Sequence, residues 1–400
     1  MMKKIMILGG GDNQLPLIKR AKELSLYVVL CDFRNDVPGI ALSDIHYQVD
    51  TLDPYLLVKV GEKEKVNGII TNSEPAFISM AETAKKLALR CMNIESTKLY
   101  KNKFLMREFC HQHGLLSPQY KYCTTKEEAL DFFNRLKIKC VIKPLDNSAS
   151  RGVFSVNNEN DIIDHFDECL GASSAANHAI IIEEYVAGTE FTIDGLMTPK
   201  GHRCLAISEK KHYAYNENVA YQLLFDNHNK GFDYAELRRI NDQLVDLTEM
   251  PFGLTHAEYK FSNDKFYLIE IQARGGGNFI ATEIVPFISG IDSYTEQIKW
   301  SVGDSVNVDY DYGRMMNRCA VLHFFDIPGK SGIVKEIRGL DFLNSLDNQM
   351  LYHLNFKIGD TIQEAKDDTT RLGWYILKST NRIDLENKMQ MIEEHFKIMI

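Results

Sequence analysis

The sequence contains no stretch of about 18 apolar residues, so no transmembrane helix is predicted anywhere in its 400 residues. The apolar run in its opening segment, MMKKIMILGGG, is too short for a signal peptide and passes straight into a strand-and-turn pattern, which predicts a cytoplasmic protein. Cysteine pairs are missing as well. Cys31, Cys91, Cys110, Cys123, Cys140, Cys169, Cys204 and Cys319 form no CxxC and no run of four Cys and His at the spacing of a zinc site. They read as scattered reduced thiols. Positive charge is scarce: 46 basic residues face 55 acidic ones, a formal net charge of -9. That excludes a dedicated binder of nucleic acid or anionic membrane, while a small basic pocket for an anion such as a nucleotide remains open. Internal repeats, low-complexity linkers and the phosphate-binding GxxxxGK[ST] pattern are all absent.

What is present is an ordinary globular composition, 44% apolar and 25% charged, long enough for two or three domains. Residues 4–8 read as a buried strand, followed by Gly9-Gly10-Gly11, a helix from about Asn13 to Leu24, and a second strand, Tyr27–Cys31, ending at Asp32. The cycle repeats through a helix near Pro54–Glu64, a strand Gly68–Thr71, the loop Asn72-Ser73-Glu74 and a helix Pro75–Leu87. Such alternation predicts a parallel sheet with helices on both faces over residues 1–95. Ser96 is a candidate cap for a helix running to about His113. From residue 119 the pattern is mixed α+β, with strands at Cys140–Lys143, Ala179–Glu183, Glu190–Leu196, Cys319–Phe325, Gly332–Ile337 and Leu372–Lys378, and a final amphipathic helix near Asp384–Lys397.

The segment richest in chemistry runs from His256 to Gln272, two alternating strands around the turn residues Ser262–Lys265. A three-residue loop at 263–265 makes Glu258 and Glu270 direct cross-strand neighbours, with Gln272 two residues on along the same face. Ala257, Tyr259, Phe261, Tyr267, Ile269 and Ile271 form the expected core face. Like charges set directly opposite are destabilising without a cation between them. The pair therefore reads either as ligands for Mg²⁺ or as a solvated face neutralised by Lys260. Arg274-Gly275-Gly276-Gly277 follows at once, either a backbone that approaches an anion beside a guanidinium or a flexible surface turn.

Upstream, Val141-Ile142-Lys143-Pro144 sets a lysine in an apolar strand, where it needs an anionic partner. The loop after it, Asp146–Gly152, offers Ser148, Ser150, Arg151 and Gly152 as a cover for phosphates. Beyond lies Ile180–Glu190, where backbone around Glu184–Val186 can meet an adenine edge and Glu190 can accept from ribose hydroxyls. The plainer reading of that stretch is a hairpin edge.

In this order and spacing, Lys143-Pro144, Ser148–Gly152, Glu183–Glu190, Glu258 and Glu270–Gly277 resemble the ATP-grasp superfamily of carboxylate–amine (or thiol) ligases, over roughly residues 1–330. The resemblance implies an α/β and α+β architecture. A Rossmann-like pre-ATP-grasp domain would occupy 1–95 and a two-subdomain ATP-grasp domain 96–305, its lid at about 115–190. A C-terminal α+β subdomain would take up 306–400. It implies ATP with Mg²⁺ (or Mn²⁺), a small carboxylate and an amine as partners, and the homodimer common in the family. Lys103 and Lys143 would contact phosphates, with Ser148, Ser150, Arg151 and Gly152 as the lid loop. Glu183, Glu184, Tyr185 and Val186 would line the adenine and Glu190 the ribose. Glu258, Glu270 and Gln272 would hold the metal, with Arg274 near the acyl phosphate. Lys210 or Lys211 would supply a further phosphate contact. Gly9–Asn13, Arg34 and Asn72–Glu74 would help hold the acceptor or carboxylate, and Arg314 and Arg318 are candidates for further carboxylate contacts.

Two departures stand out: Gln272 replaces the usual Asn, and Asn147, Ser148 and Ala149 replace common glycines. The implied reaction activates a carboxylate as an acyl phosphate, releasing ADP, and joins it to an amine. Two rivals remain at this point. One is a non-catalytic ATP-binding protein on the same fold. The other is a nicotinamide-dependent oxidoreductase, suggested by Gly9-Gly10-Gly11 and Asp32 although the third glycine of GxGxxG is missing.

Overall fold

The computed structural model describes residues 2–147, 151–173, 178–306, 308–346 and 350–400. Strands β1 (Lys4–Leu8) and β2 (Tyr27–Asp32) are almost wholly buried. With β3 (Ile45–Gln48) and β4 (Gly68–Ile70) they form an all-parallel sheet of order β3-β2-β1-β4. Strands buried on both faces need helices on both sides, and the intervening helices supply them. Gly9 turns the chain at φ 90°, and the Gly10 amide donates to Asp32 Oδ2 at 2.8 Å. Asp32 also accepts from the Arg34 amide and guanidinium, so it closes this turn upon itself.

The single helix expected from Ser96 to His113 is in fact two, Ile94–Lys101 and Lys103–Gln112, capped by the side chains of Asn93 and Asn102. Asn102 leaves the helical region at φ -115°, ψ 113°, and the Lys103 amide bonds the Leu145 carbonyl at 2.9 Å instead of continuing the first helix. This joint ties Lys103 to the next sheet.

That sheet is small and antiparallel: β5 (Tyr120–Cys123), β6 (Cys140–Pro144), β7 (Phe154–Val156) and β8 (Ile180–Glu184), in the order β5-β8-β6-β7. Helices Lys126–Leu136 and Glu159–Gly171 pack on it, each opened by a reciprocal capping box, Thr125 with Glu128 and Asn158 with Asp161. Phe132, Ile142, Phe166 and Ile182 fill the space between.

The large sheet holds β9 (Thr189–Thr198), β10 (Gly201–Tyr213), β11 (Asn216–Phe225), β12 (Gly253–Ser262), β13 (Lys265–Gln272) and β14 (Cys319–Phe324). The chain continues through β15 (Ser331–Ile333), β16 (Glu336–Arg338), β17 (Met350–Leu354), β18 (Thr361–Gln363), β19 (Gly373–Ser379) and β20 (Lys397–Met399). The sheet order is β13-β12-β9-β10-β11-β14-β19-β17. The last hundred residues thus extend this sheet, because β14 pairs with β11, Gln222 opposite His323. They add two short ladders, β15 with β18 and β16 with β20, and the strand expected at Gly332–Ile337 is divided between them.

The hairpin β12-β13 turns on two residues, Asn263 and Asp264, both left-handed at φ 50° and 60°, and not on the three expected. A two-residue loop alone would set Glu258 against Ile269. A bulge next to Glu258 corrects this: Tyr259 opposes Leu268, Glu258 opposes Glu270, and Ile269 is left over. The bulge also revises the core face. Phe266 and Leu268 are buried with Ala257, Tyr259 and Ile271, while Tyr267 and Ile269 are only half-buried. All eight cysteines are free, and burial pushes the thiol of Cys31 up to about 12. Among the described residues no helix is long and apolar enough to cross a membrane.

Candidate nucleotide and metal site

Alternation places one polar face across four neighbouring strands of the large sheet. It carries Glu190, Thr192 and Asp194 on β9, Ser208 and Lys210 on β10, His256, Glu258 and Lys260 on β12, and Glu270 and Gln272 on β13. Three rows result. In the first, Glu190 accepts from Lys210 at 2.7 Å and Lys260 at 2.9 Å, with His212 Nε2 at 3.5 Å. In the second, Glu258 stands opposite Glu270, beside a Thr192–Ser208 hydroxyl pair at 2.6 Å. The third row holds Asp194, His256 and Gln272.

The opposed carboxylates are not neutralised by Lys260, which pairs with Glu190. Lys210 bridges Glu190 and Glu258, lying 2.6 Å from the latter. Lys103 reaches Glu270 at 3.0 Å from its helix and donates to the Asn147 carbonyl at 2.6 Å. Three lysines therefore balance the three glutamates of the first two rows. Burial pushes the Glu190 carboxyl up, but Lys210 and Lys260 more than reverse it and hold it well below the usual range. Burial likewise favours neutral Lys210, yet Glu190 and Glu258 keep it charged and above its ordinary value. Glu270 is lowered in the same way, its burial outweighed by Lys103.

Of the two lysines the sequence could not separate, only Lys210 joins this cluster. Lys211, next along β10, turns to the opposite face of the sheet and lines a surface cleft with Tyr221, His323 and Glu393. Lys143 finds its anionic partner in Glu183, at 2.8 Å. Glu183 is 1% exposed and also takes the guanidinium of Arg107, equally buried, at 2.7 Å. Burial opposes its ionisation, but Arg107 and Lys143 bring the carboxyl down to about 2. The Glu183 side chain is thus engaged inside the small sheet. Arg107 also donates to the carbonyl of Ile269, the bulged residue, at 2.5 Å.

Between β8 and β9 the chain crosses from the small sheet to the large one. Glu184 and Tyr185 spend their amides on the Gln119 and Lys139 carbonyls, both at 2.9 Å, so of this trio only the half-buried Val186 has its amide outside that pairing. The Lys139 ammonium lies 4.0 Å over the Tyr185 ring, and Glu217 joins both side chains. Gly188 sits at φ 132°, where a Cβ would lie 1.9 Å from the Phe261 carbonyl oxygen, so no other residue fits this crossing. Arg151 is exposed and Gly152 turns at φ 73° against Pro144. Ser148 and Ser150 lie outside the described residues, as does the Arg314 side chain.

At the far end, Arg274 Nε pairs with Glu74 of the first sheet's loops at 2.9 Å. The glycines after it differ. A Cβ on Gly275 would strike Ala281 and Leu254, and one on Gly276 would strike Asp194 and His256, whereas Gly277 has open space. Of the three, only Gly277 faces open space. Phe279 adopts φ 63°, a strained value for a bulky side chain, which occurs where surrounding structure enforces it. Arg318 is held by the carbonyl and ring of Phe287, and Arg34 by Asp32.

Sequence reasoning missed Arg107, Asp194 and His256, whereas Glu74 lies in the Asn72–Glu74 loop expected at the acceptor end. Asp194 and His256 share the period-two face of Glu190 and Glu258, which would have found them. Arg107 carries no signal beyond one charge in an apolar helix stripe.

Among the described residues no three His, Cys, Asp or Glu side chains gather as a closed metal site. Glu258, Glu270 and Gln272 offer two carboxylates and an amide, hard oxygen donors that suit Mg²⁺ and leave positions for water and phosphate.

Residues 136–283 match the ATP-grasp domain family model. The chain is 28% identical over 189 residues to a formate-dependent phosphoribosylglycinamide formyltransferase of Maridesulfovibrio salexigens, covering 46% of this chain and 47% of that one. It therefore spans about half the length of the curated relatives it matches. Among solved structures, an L-amino acid ligase from Bacillus licheniformis superposes with a TM-score of 0.80 at 19% identity, covering 99% of this chain and 98% of that one. A phosphoribosylglycinamide synthetase from Anaerococcus prevotii does so with a TM-score of 0.76 at 19% identity, over 100% of both chains. Residues 136–283 thus match an ATP-grasp domain, and the chain shares its fold with these two solved structures along its length.

Proposed function

We propose that this protein is an ATP-dependent ligase that activates a carboxylate as an acyl phosphate, releasing ADP, and joins it to an amine. The observation that carries the reading is the second row of the polar face: Glu258 opposite Glu270, each met by a lysine from a different element. In this reading the pre-ATP-grasp domain is 1–95, the ATP-grasp domain 96–305 with its lid at about 115–190, and the C-terminal subdomain 306–400. The site works in the cytoplasm.

Glu258, Glu270 and Gln272 hold Mg²⁺ or Mn²⁺, which when bound neutralises phosphate charge. Lys103, Lys143 and Lys210 turn from their carboxylates toward the phosphates, with Ser148, Ser150, Arg151 and Gly152 closing over them. The adenine lies along Tyr185 and Val186, beside Glu183 and Glu184, and the ribose hydroxyls meet Glu190. Arg274 stabilises charge on the transferring phosphoryl group and on the oxygen of the tetrahedral intermediate. Phosphoryl transfer depends on positioning and charge neutralisation more than on a protein nucleophile, which suits a face built of Lys, Arg and carboxylates. Glu74 beside Arg274 gives the acceptor end one acid and one base, complementary to a small zwitterion. This favours an amino acid over a phosphorylated substrate, which would call for unmatched cations. Asp32 spends its oxygens on Gly10 and Arg34, which disfavours the nicotinamide reading.

The test is ADP release from Mg-ATP across a panel of carboxylic acids, with hydroxylamine to trap an acyl phosphate. Acid-dependent ADP with a hydroxamate is the expected result. Absence of both, with no ATP binding, overturns the reading.

A further inference from the structure

The hairpin β10-β11 carries Lys210 into the polar face, and its tip has no part in the reaction as set out so far. Past Lys211 the ladder slips twice, at His212 and at Tyr213. Such slips bend a hairpin, which turns this tip away from the regular plane of the sheet. On one side it is fastened to the last hundred residues. Tyr215 donates to Asp326 Oδ2 at 2.9 Å and accepts from the Ala365 amide at 3.2 Å. The Asn216 side chain donates to the Lys366 carbonyl at 2.9 Å, and the Tyr213 and Tyr215 rings stack with centroids 4.9 Å apart. Asp326 Oδ1 is buried with no hydrogen-bond partner, so the bond that Tyr215 gives to Oδ2 is costly to lose.

On its other side the tip reaches the small sheet. Glu217, the second residue of β11, pairs with the Lys139 ammonium and accepts from the Tyr185 hydroxyl at 3.2 Å. Lys139 also takes the Tyr185 amide on its carbonyl, at 2.9 Å, and sets its ammonium 4.0 Å over the Tyr185 ring. Tyr185 is thus held at its amide, its ring and its hydroxyl. It stands three residues before Gly188, where the chain crosses from one sheet to the other.

The order of these contacts matters more than the strength of any one. Lys139 and Glu217 are part-exposed, and a single ion pair of that kind is weak. Glu217 holds Tyr185 in place only while the tip is itself held, and Tyr215 holds the tip. The contacts therefore run in series from Asp326 and Ala365, over the hairpin, to Lys139 and Tyr185.

We propose that Glu217 is a positioning residue for the nucleotide, setting the Tyr185 ring where the adenine lies, and that Tyr215 anchors it on the last hundred residues. This rests on the nucleotide site read above. The C-terminal strands thereby act on the adenine end through the hairpin.

The test uses the full chain with Glu217→Gln, Tyr215→Phe and the two combined. Each single variant raises the Kd for Mg-ATP by about three- to tenfold in titration calorimetry. The double variant stays within twofold of the weaker-binding single variant, because contacts in series are not additive. In acid-dependent ADP release the KM for ATP rises in proportion while kcat at saturating ATP holds, a split that a loss of folded protein does not give. Hydrogen exchange over residues 180–188, followed without nucleotide, speeds up in both single variants. A Kd within twofold of the wild type in either single variant, losses that multiply in the double variant, or unchanged exchange overturns the proposal. If the wild type binds no Mg-ATP, the nucleotide reading fails on its own account, and exchange over 180–188 alone decides whether the tip holds Tyr185.

Discussion

Glu270 faces Glu258 only because Ile269 is squeezed out of the ladder between them. Without that bulge the two-residue turn would put Ile269 opposite Glu258 and send Glu270 to the other face of the strand. The bulge is held by Arg107, which donates to the Ile269 carbonyl at 2.5 Å. A structural arginine thus fixes the register on which the two carboxylates depend.

Glu258→Gln and Glu270→Gln each remove one carboxylate from the pair. Each is expected to lower acid-dependent ADP release by about 10²-fold or more. Mn²⁺ binding in the presence of ATP, followed by electron paramagnetic resonance, falls with it. A variant that keeps both is not missing a metal ligand.

Arg107 carries a second expectation, for stability. It is 1% exposed and balances Glu183, so Arg107→Met leaves that carboxylate short of a partner inside the small sheet. The cost is about 3–5 kcal/mol in urea unfolding. The pH dependence follows from the carboxyl of Glu183, whose ordinary value of 4.5 is brought to about 2 in the folded chain. A depressed carboxyl stabilises the fold above the unfolded value and loses that contribution as pH falls. Wild-type unfolding midpoints therefore fall between pH 4.5 and about 2, and in Arg107→Met, where less of the depression remains, that acid-induced fall is smaller.

Much of this was legible in the chain because period-two alternation and opposed charges are local signals. Residues 4–8 and 27–32 announce a buried parallel sheet, and the alternation around Glu190, Glu258 and Glu270 announces the polar face that carries the proposed site. Three things were not legible. The two-residue turn and the bulge are separate errors that cancel at Glu258–Glu270, so the pairing came out right while Tyr267 and Ile269 were assigned to the core. The break at Asn102 depends on the Lys103 amide finding Leu145, a contact 42 residues away along the sequence. Sharing Glu183 between Lys143 and Arg107 is tertiary, and no spacing rule brings residue 107 to residue 183.

Adjacent lysines on β10 offer a control within one strand. Lys210 bridges Glu190 and Glu258, whereas Lys211 faces the cleft beneath the helix Arg382–His395. Lys210→Met is expected to reduce ADP release by about 10²-fold. Lys211→Met should stay within about twofold, since exposed positions away from packing and pairing are usually near neutral. Equal effects would mean that the face of β10 does not decide which lysine serves the phosphates.

The three glycines after Arg274 separate packing from ligand access. At Gly275 a Cβ would come within 2.5 Å of the Ala281 side chain, and at Gly276 within 2.8 Å of Asp194. Neither can gain a methyl group without moving the loop that carries Arg274. Gly277 is exposed and meets nothing within 4 Å, so Gly277→Ala is accommodated sterically in the free protein. Its thermal unfolding midpoint is expected to match the wild type, while Gly275→Ala and Gly276→Ala lower theirs by an overpacking cost of about 1–3 kcal/mol. If Gly277→Ala nonetheless raises the KM for ATP or the acid, the open space at residue 277 is where the ligand meets the backbone. An unchanged KM would place that contact elsewhere and leave Gly275 and Gly276 as glycines of packing alone.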